Sequence, residues 1–397
     1  MIKLSENTQR IEESATMAIS ARAKAMKKAG EDVIALAAGE PDFDTPAHIV
    51  AAAKQALDEG FTRYTPASGM PELRAAWAIQ VGERRGISYQ PNQLMVTAGG
   101  KQSLFNVIYA LVDPGDEVIV PAPYWVSYPE QVRAMGALPV ILQTSSDQHF
   151  KISPQALRES ITDRTRLVIL NSPSNPTGSV YTREELVALA EVLVEEQIPV
   201  LSDEVYDELV YGGEFTSIAS LGEEISKLTI ISGAVSKTYA MTGWRIGYAA
   251  GPVEVIAAAG RLQSHSTSGP NSVAQKAALA AITGDQGTVG MMRQEFDRRR
   301  QTMIQCLQAM PGITCSEPMG AFYAFPRVSA YYGRHYDDQV VDGSMAFSRL
   351  FLENEMVATV PGFAFGEDAH VRLSYATGMA QIEEAMNRLE RFLNRLI

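Results

Sequence analysis

A lysine and an arginine share one short stretch, Ser236-Lys237-Thr238-Tyr239-Ala240-Met241-Thr242-Gly243-Trp244-Arg245. The apolar run before it, 228–231, reads as a buried strand, so Lys237 falls on the turn beyond that strand. A lysine amine there can condense with an aldehyde cofactor if its surroundings lower its pKa, and the arginine can hold the cofactor's phosphate. The spacing alone is weak, since most lysines are solvated surface charges. It gains force from Trp125, Asn175, Asp203, Tyr206 and Arg372, each in or beside another strand-like run.

Each of these residues has a bland reading beside the chemical one. Asp203, in Val200-Leu201-Ser202-Asp203-Glu204-Val205-Tyr206, could cap a helix or ligate a metal. It could equally hold a pyridine nitrogen protonated, with Tyr206 near the ring's oxygen. Asn175 lies in a turn-forming segment, 171–178. Trp125 follows a proline-rich turn and is either a core ring or one stacked on a planar cofactor. Arg372 stands alone in an apolar strand, where an unpaired guanidinium is costly. Its partner is either an internal carboxylate or a substrate carboxylate gripped by two hydrogen bonds. Val96-Thr97-Ala98-Gly99-Gly100-Lys101-Gln102-Ser103 runs from a strand into a helix. Its amides either hold an anion or make a tight turn, and its spacing fits neither a Walker loop nor a dinucleotide fingerprint.

The elements that position these residues follow from pattern. Apolar runs at 93–97, 117–120, 138–142, 167–170, 200–202 and 228–231 alternate with helical stretches, which predicts a mostly parallel sheet covered on both faces. Ligands of such sheets collect beyond the carboxyl ends of the strands. A helix is expected over 11–29, with Ile11, Ala15, Ala18, Ile19 and Met26 near one face. Another starts at Asp44-Thr45-Pro46, with a capping side chain, and ends at Gly60. Thr182-Arg183-Glu184-Glu185 is a capping box. Strands at 320–325 and 370–375, with helices at 344–355 and 380–396, read as a second, smaller α/β domain. The expected boundaries are 1–45, an N-terminal segment joining the small domain; 46–285, the large domain; and 286–397, the small domain. The tyrosine-rich loop Tyr331–Tyr336 is expected to be solvated surface.

The chain has 397 residues, too many for one ordinary core, with 46% hydrophobic and 20% charged residues. A net charge of -12 argues against nucleic acid as a partner. The two cysteines, Cys306 and Cys315, have no redox or zinc spacing, and the five histidines no ligand spacing, so no metal is expected and the setting is a reducing cytoplasm. Neither a signal peptide nor an apolar run long enough to span a membrane is evident.

Taken together, five motifs in order resemble the class I aminotransferases, the fold-type I enzymes that use pyridoxal 5′-phosphate. They are Ala37-Ala38-Gly39-Glu40-Pro41-Asp42-Phe43, Tyr124-Trp125, Asn175-Pro176-Thr177-Gly178, Ser236-Lys237 through Gly243-Trp244-Arg245-Ile246-Gly247, and Val371-Arg372-Leu373-Ser374-Tyr375. The likeness is greatest to bacterial aspartate aminotransferases of the branch that also contains prephenate aminotransferases. It implies a large domain with a seven-stranded, mostly parallel sheet and a smaller α/β domain. It also implies a homodimer with shared active sites, in which Tyr64 reaches the phosphate of the neighbouring subunit.

By the same resemblance Lys237 binds the cofactor aldehyde and later carries the proton at Cα. Asp203 pairs with the ring nitrogen, Asn175 and Tyr206 with the ring oxygen, and Trp125 stacks on the ring. Gly100, Lys101 and Arg245 hold the phosphate, and Ser236 is counted among the cofactor-binding residues. Arg372, Asn175, Trp125 and Gly39 receive the substrate's α-carboxylate end, and Lys101 and Thr16 its distal carboxylate. Two positions depart from the pattern. Ala234 replaces a phosphate-binding serine of some relatives, and Glu12 lies where relatives acting on acidic keto acids often have lysine. The expected activity is transfer of the amino group of L-aspartate to 2-oxoglutarate in a two-step exchange. The alternatives are aromatic or prephenate transamination and carbon-sulfur β-lyase chemistry on the same scaffold.

Overall fold

The structure, a computed structural model, describes residues 2–12 and 15–397, without the side chains of residues 15–18 and 20. Seven strands form the main sheet: β1 (Leu94–Thr97), β2 (Glu117–Ala122), β3 (Leu138–Gln143), β4 (Thr165–Asn171), β5 (Val200–Asp203), β6 (Thr229–Ala234) and β7 (Gly247–Ala250). Their order is β1-β7-β6-β5-β4-β2-β3. Only β7 runs antiparallel to its neighbours. Side chains alternate between two buried layers. Val118, Val120, Leu167 and Ile169 face one, and Ile119, Val168 and Leu170 face the other. Burial on both faces is why these strands read as unbroken apolar runs. β3 is one of the two edge strands, and its ends are exposed.

The polar residues sit where the parallel strands finish. β1 ends at Thr97, β4 at Asn171, β5 at Asp203 and β6 at Ala234. A buried ion pair pins the end of β5 from behind: Arg85 Nε donates to Glu204 Oε2 at 2.6 Å, and Arg85 Nη2 to Asp207 Oδ2 at 2.8 Å. Ser202 and Ser217 also donate to Glu204, so the carboxylate has several partners in the interior.

The C-terminal part builds on three helices, Gly287–Ala309, Ser344–Glu355 and Met379–Asn394, and a three-stranded antiparallel sheet. In that sheet Val371–Ser374 lies between Val360–Pro361 and Tyr323–Ala324. Residues 34–36 hydrogen-bond to it. Ile34–Ala35 pairs in parallel with Val357–Ala358, and the Ser374 amide donates to the Leu36 carbonyl at 2.8 Å. Arg299 of the long helix grips Asp42 at 2.7 Å and lies over the Phe43 ring, tying the 39–43 loop to this part.

The seventh strand, β7, lies outside the apolar runs named above, because Gly247-Tyr248-Ala249-Ala250 is short and has only one large side chain. Three expectations need correction. The helix Ala47–Asp58 has no side-chain cap. Thr45 instead donates to the Ala240 carbonyl at 2.7 Å and accepts from Trp244 Nε1 at 3.0 Å, holding the turn that follows Lys237. Tyr331 and Tyr336 are buried rather than solvated: Tyr336 stacks on Phe392 at 5.4 Å. Ile11 is 45% exposed, so it does not share the buried face of Ile19 and Met26. The capping box at Thr182 and Glu185 and the left-handed Gly60 form as expected.

Candidate active site

One cavity of about 610 Å³ opens beyond the carboxyl ends of the parallel strands. Lys237, Asp203, Arg372 and Arg245 all line it. A second cavity of about 730 Å³, around residues 86–93 and 219–227, gathers none of the expected residues.

Lys237 lies on a single helical turn, Val235–Thr238, that begins where β6 ends. Its Nζ donates to the Gly39 carbonyl, so the 39–43 loop and the lysine touch directly. Burial brings its ammonium pKa down to about 8; Glu40 opposes this, and Arg245 and Arg372 reinforce it. Glu40 is itself held by a hydrogen bond from Thr242 Oγ1 at 2.9 Å. A lysine in this range holds a substantial neutral fraction in mildly alkaline solution, which is the form that attacks carbonyl carbon.

Asp203, the last residue of β5, is 6% exposed. Tyr128 donates to its Oδ2 at 2.7 Å, and the Val205 amide donates to Oδ1 at 3.3 Å. Burial pushes the carboxyl up to about 6, against the pull of those two hydrogen bonds. Unlike Glu204, Asp203 has no cationic side chain within ion-pair distance among the described residues.

Arg372 lies in the central strand of the small sheet and is 3% exposed. Its Nη1 donates to Asn175 Oδ1 and its Nη2 to the Ala37 carbonyl, both at 2.9 Å. Its Nε is buried and has no hydrogen-bond partner among the described residues. The guanidinium lies 4.4 Å from the Tyr323 ring centre and 5.2 Å from that of Phe365. Neutral carbonyl partners and aromatic faces position this cation without neutralising it.

Arg245 lies against the turn that opens the Gly100 helix. Gly99 has φ +84, and the helix Gly100–Leu111 starts just after it. A Cβ at Gly99 would come within 2.3 Å of Arg245 Nη2, so only glycine lets the guanidinium lie against this turn. Arg245 donates to the Thr242 carbonyl at 2.8 Å. Ser236 and Ala234 line the cavity nearby. Trp125 forms another wall, with Lys101 Nζ 4.8 Å from its ring centre.

These residues fit pyridoxal phosphate. A helix N-terminus with an arginine suits its phosphate, an enclosed lysine its aldehyde, and a buried carboxylate without a cation its ring nitrogen. Gly39, Gly100, Asn175 and Tyr206 also line the space. The Tyr206 hydroxyl lies 2.9 Å from that of Tyr323. Tyr64 is 99% exposed and outside this chain's cavity. Thr16 has no described side chain.

Sequence reasoning missed Tyr128 and Tyr323. Tyr128 stands three residues after Trp125, across the turn that opens the helix Ser127–Ala134, with the ring centres 5.4 Å apart, so i to i+3 spacing from a suspected site residue was the available signal. Tyr323 had only strand alternation within 320–325, which separates it from Phe322 without saying what it faces.

The family profile described as "Aminotransferase class I and II" matches residues 31–389. The chain is 47% identical to the aspartate aminotransferase of Geobacillus stearothermophilus, over 99% of each chain. The crystal structure of an aspartate aminotransferase from Rhizobium meliloti superposes with a TM-score of 0.96 at 40% identity, covering all of both chains. The Thermus thermophilus aspartate aminotransferase with maleate gives 0.93 at 42% identity, covering 98% of this chain and 100% of that one.

Proposed function

The chain belongs to the class I and II aminotransferases, and from that premise we propose that it transfers the amino group of L-aspartate to 2-oxoglutarate, with pyridoxal 5′-phosphate held by the residues described above. The observation that carries this reading is one cavity joining an enclosed lysine, a buried carboxylate without a cation and a buried arginine with a free Nε. The dicarboxylate preference rests on the names of the relatives and on Lys101, which points its charge into the same space.

Pyridoxal phosphate supplies an aldehyde that takes up the amino group and a ring that draws off the electron pair left at Cα. The protein does the rest. Arg372 binds the α-carboxylate with parallel donors, and Asn175 and Ala37 keep its plane fixed before substrate arrives. That grip sets which Cα bond stands perpendicular to the ring. Lys237 Nζ, neutral above about pH 8, would take the Cα proton and would return it to the former aldehyde carbon, on the far side of the amino nitrogen. Asp203, ionised, would face the ring nitrogen and stabilise positive charge there. Arg245 and the amides opening the Gly100 helix hold the phosphate. Trp125 bounds the ring on one side. The same groups serve the second half-reaction in reverse.

Replacing Arg372 by lysine removes the planar fork. KM for every amino donor should rise on the order of 100-fold, with the far-ultraviolet dichroism unchanged. Unaltered KM values would reassign the carboxylate site.

The donor preference is tested by a panel of amino acids against 2-oxoglutarate. Aspartate should give the highest kcat/KM, with oxaloacetate as product. Ammonia and pyruvate from a β-substituted amino acid, without oxaloacetate from aspartate, would move the protein to elimination chemistry. Lys101→Gln should raise KM for aspartate about tenfold and leave KM for alanine unchanged. Equal effects on both donors would remove Lys101 from the distal-carboxylate site.

We further read residues 1–45 and 286–397 as one unit and 46–285 as another. The support is the pairing of Ile34–Ala35 with Val357–Ala358 and the shared core of Ile34, Leu36, Phe322 and Phe347. The homodimer is supported by Tyr64, whose 99% exposure suits a residue presented to a second copy. A mass twice that of the chain by light scattering is the expected result. A reducing, cytoplasmic setting agrees with the unpaired thiols Cys306 and Cys315.

A further inference from the structure

Asp203 has two hydrogen-bond donors of unequal quality. The Val205 amide stands at 3.3 Å, while the Tyr128 hydroxyl stands at 2.7 Å and is as buried as its acceptor. Hydrogen bonds to an ionised acceptor are shorter and stronger than neutral ones, so Tyr128 is the dominant support of this carboxylate. The hydroxyl is a dependable donor, because burial, then Asp203, pushes its own pKa far up. Tyr128 is also held in place: its amide donates to the Trp125 carbonyl at 3.0 Å, and its ring meets that of Trp125 edge-on at 77°. The neighbouring Glu204 does not compete for this donor; Arg85, Ser202 and Ser217 occupy it. Lys237 is the other charged group facing Asp203, and its effect is smaller than that of either hydrogen bond.

We propose that Tyr128 is a positioning residue that keeps the Asp203 carboxylate ionised and aimed at the ring nitrogen of the cofactor, a role that rests on the reading of Asp203 given above. Without the hydroxyl the carboxylate loses its best donor in a dry site and becomes more basic. The proton shared with the ring nitrogen then moves toward Asp203, and the ring withdraws electrons less well. Trp125 and Tyr128 therefore form one device. One four-residue turn at the start of the helix Ser127–Ala134 would thus set both the wall beside the ring and the charge state of its far end.

The test uses the holoenzyme reconstituted with pyridoxal phosphate carrying nitrogen-15 in the ring. In Tyr128→Phe the nitrogen resonance should move toward the neutral-pyridine position. The kcat should fall on the order of 10- to 100-fold, with KM for the amino donor little changed. Asp203→Ala should move the resonance further in the same direction. A resonance in Tyr128→Phe that matches the unaltered protein, while Asp203→Ala shifts it, overturns the proposal and leaves the reading of Asp203 standing. The same holds if kcat falls but the resonance stays. If Asp203→Ala also leaves the resonance in place, the reading of Asp203 fails, and the proposal with it.

Discussion

Lys237→Ala should cost roughly 10⁴-fold in kcat, the upper range for a positioned proton-transfer group, and should abolish covalent trapping of pyridoxal phosphate by borohydride. Trapping in the unaltered protein should rise with pH through about 8. The sign follows from the amine. Burial lowers its pKa from 10.5, so the neutral, nucleophilic form is gained as pH rises through the lowered value. Glu40 limits this fall. Mass spectrometry of the reduced protein provides the check. A pyridoxyl group on any lysine other than Lys237, or trapping in the alanine variant equal to the unaltered protein, would place the reactive amine elsewhere.

Asp203→Asn should show opposite effects on activity and on the stability of the cofactor-free protein. The kcat should fall roughly 10³-fold, because the buried charge opposite the ring nitrogen is gone. Stability without cofactor should rise, but only above a certain pH. The folded pKa of about 6 lies above the unperturbed 3.8, so folding favours the protonated acid. That contribution is fully present below about pH 4 and is lost as pH rises through 6. At pH 8 the buried carboxylate therefore costs about 3 kcal/mol relative to a neutral group. The asparagine variant should unfold a few degrees higher at pH 8 and at the same temperature at pH 4. Equal melting curves at both pH values would mean that the carboxylate has a cationic partner in the apo protein.

Much of this was legible in the sequence, for a physical reason. Strands buried on both faces must be apolar throughout, so six of the seven declared themselves. Polar residues at their ends are exceptions to that pattern and stand out. Asp203 and Lys237 were visible in this way, Arg372 as a lone cation inside an apolar strand, and the structure brings the three to one cavity. Less visible was anything defined by a partner far along the chain. Tyr128 meets Asp203 only after folding. Thr45 looks like a helix cap but spends its hydroxyl on Ala240. Tyr336 lies in a polar stretch yet is buried by Phe392, because hydrophobic cover comes from a helix near the end of the chain. β7 escaped notice because close backbone contact demands small residues there. A Cβ at Gly247 would come within 2.5 Å of the Gly100 amide.

The antiparallel sense of β7 also fixes how freely this region can vary. Because β7 begins at the rim where β6 ends, the connection from Ala234 to Gly247 delivers both Lys237 and Arg245 to that rim. The amine and the guanidinium are thus the two legs of one hairpin, clamped at each end by sheet pairing. An inserted or deleted residue within it would alter the span between Lys237 and Arg245, the two groups proposed to meet the cofactor's aldehyde and phosphate. Loop length in this stretch should therefore be as intolerant of change as the identity of the lysine itself.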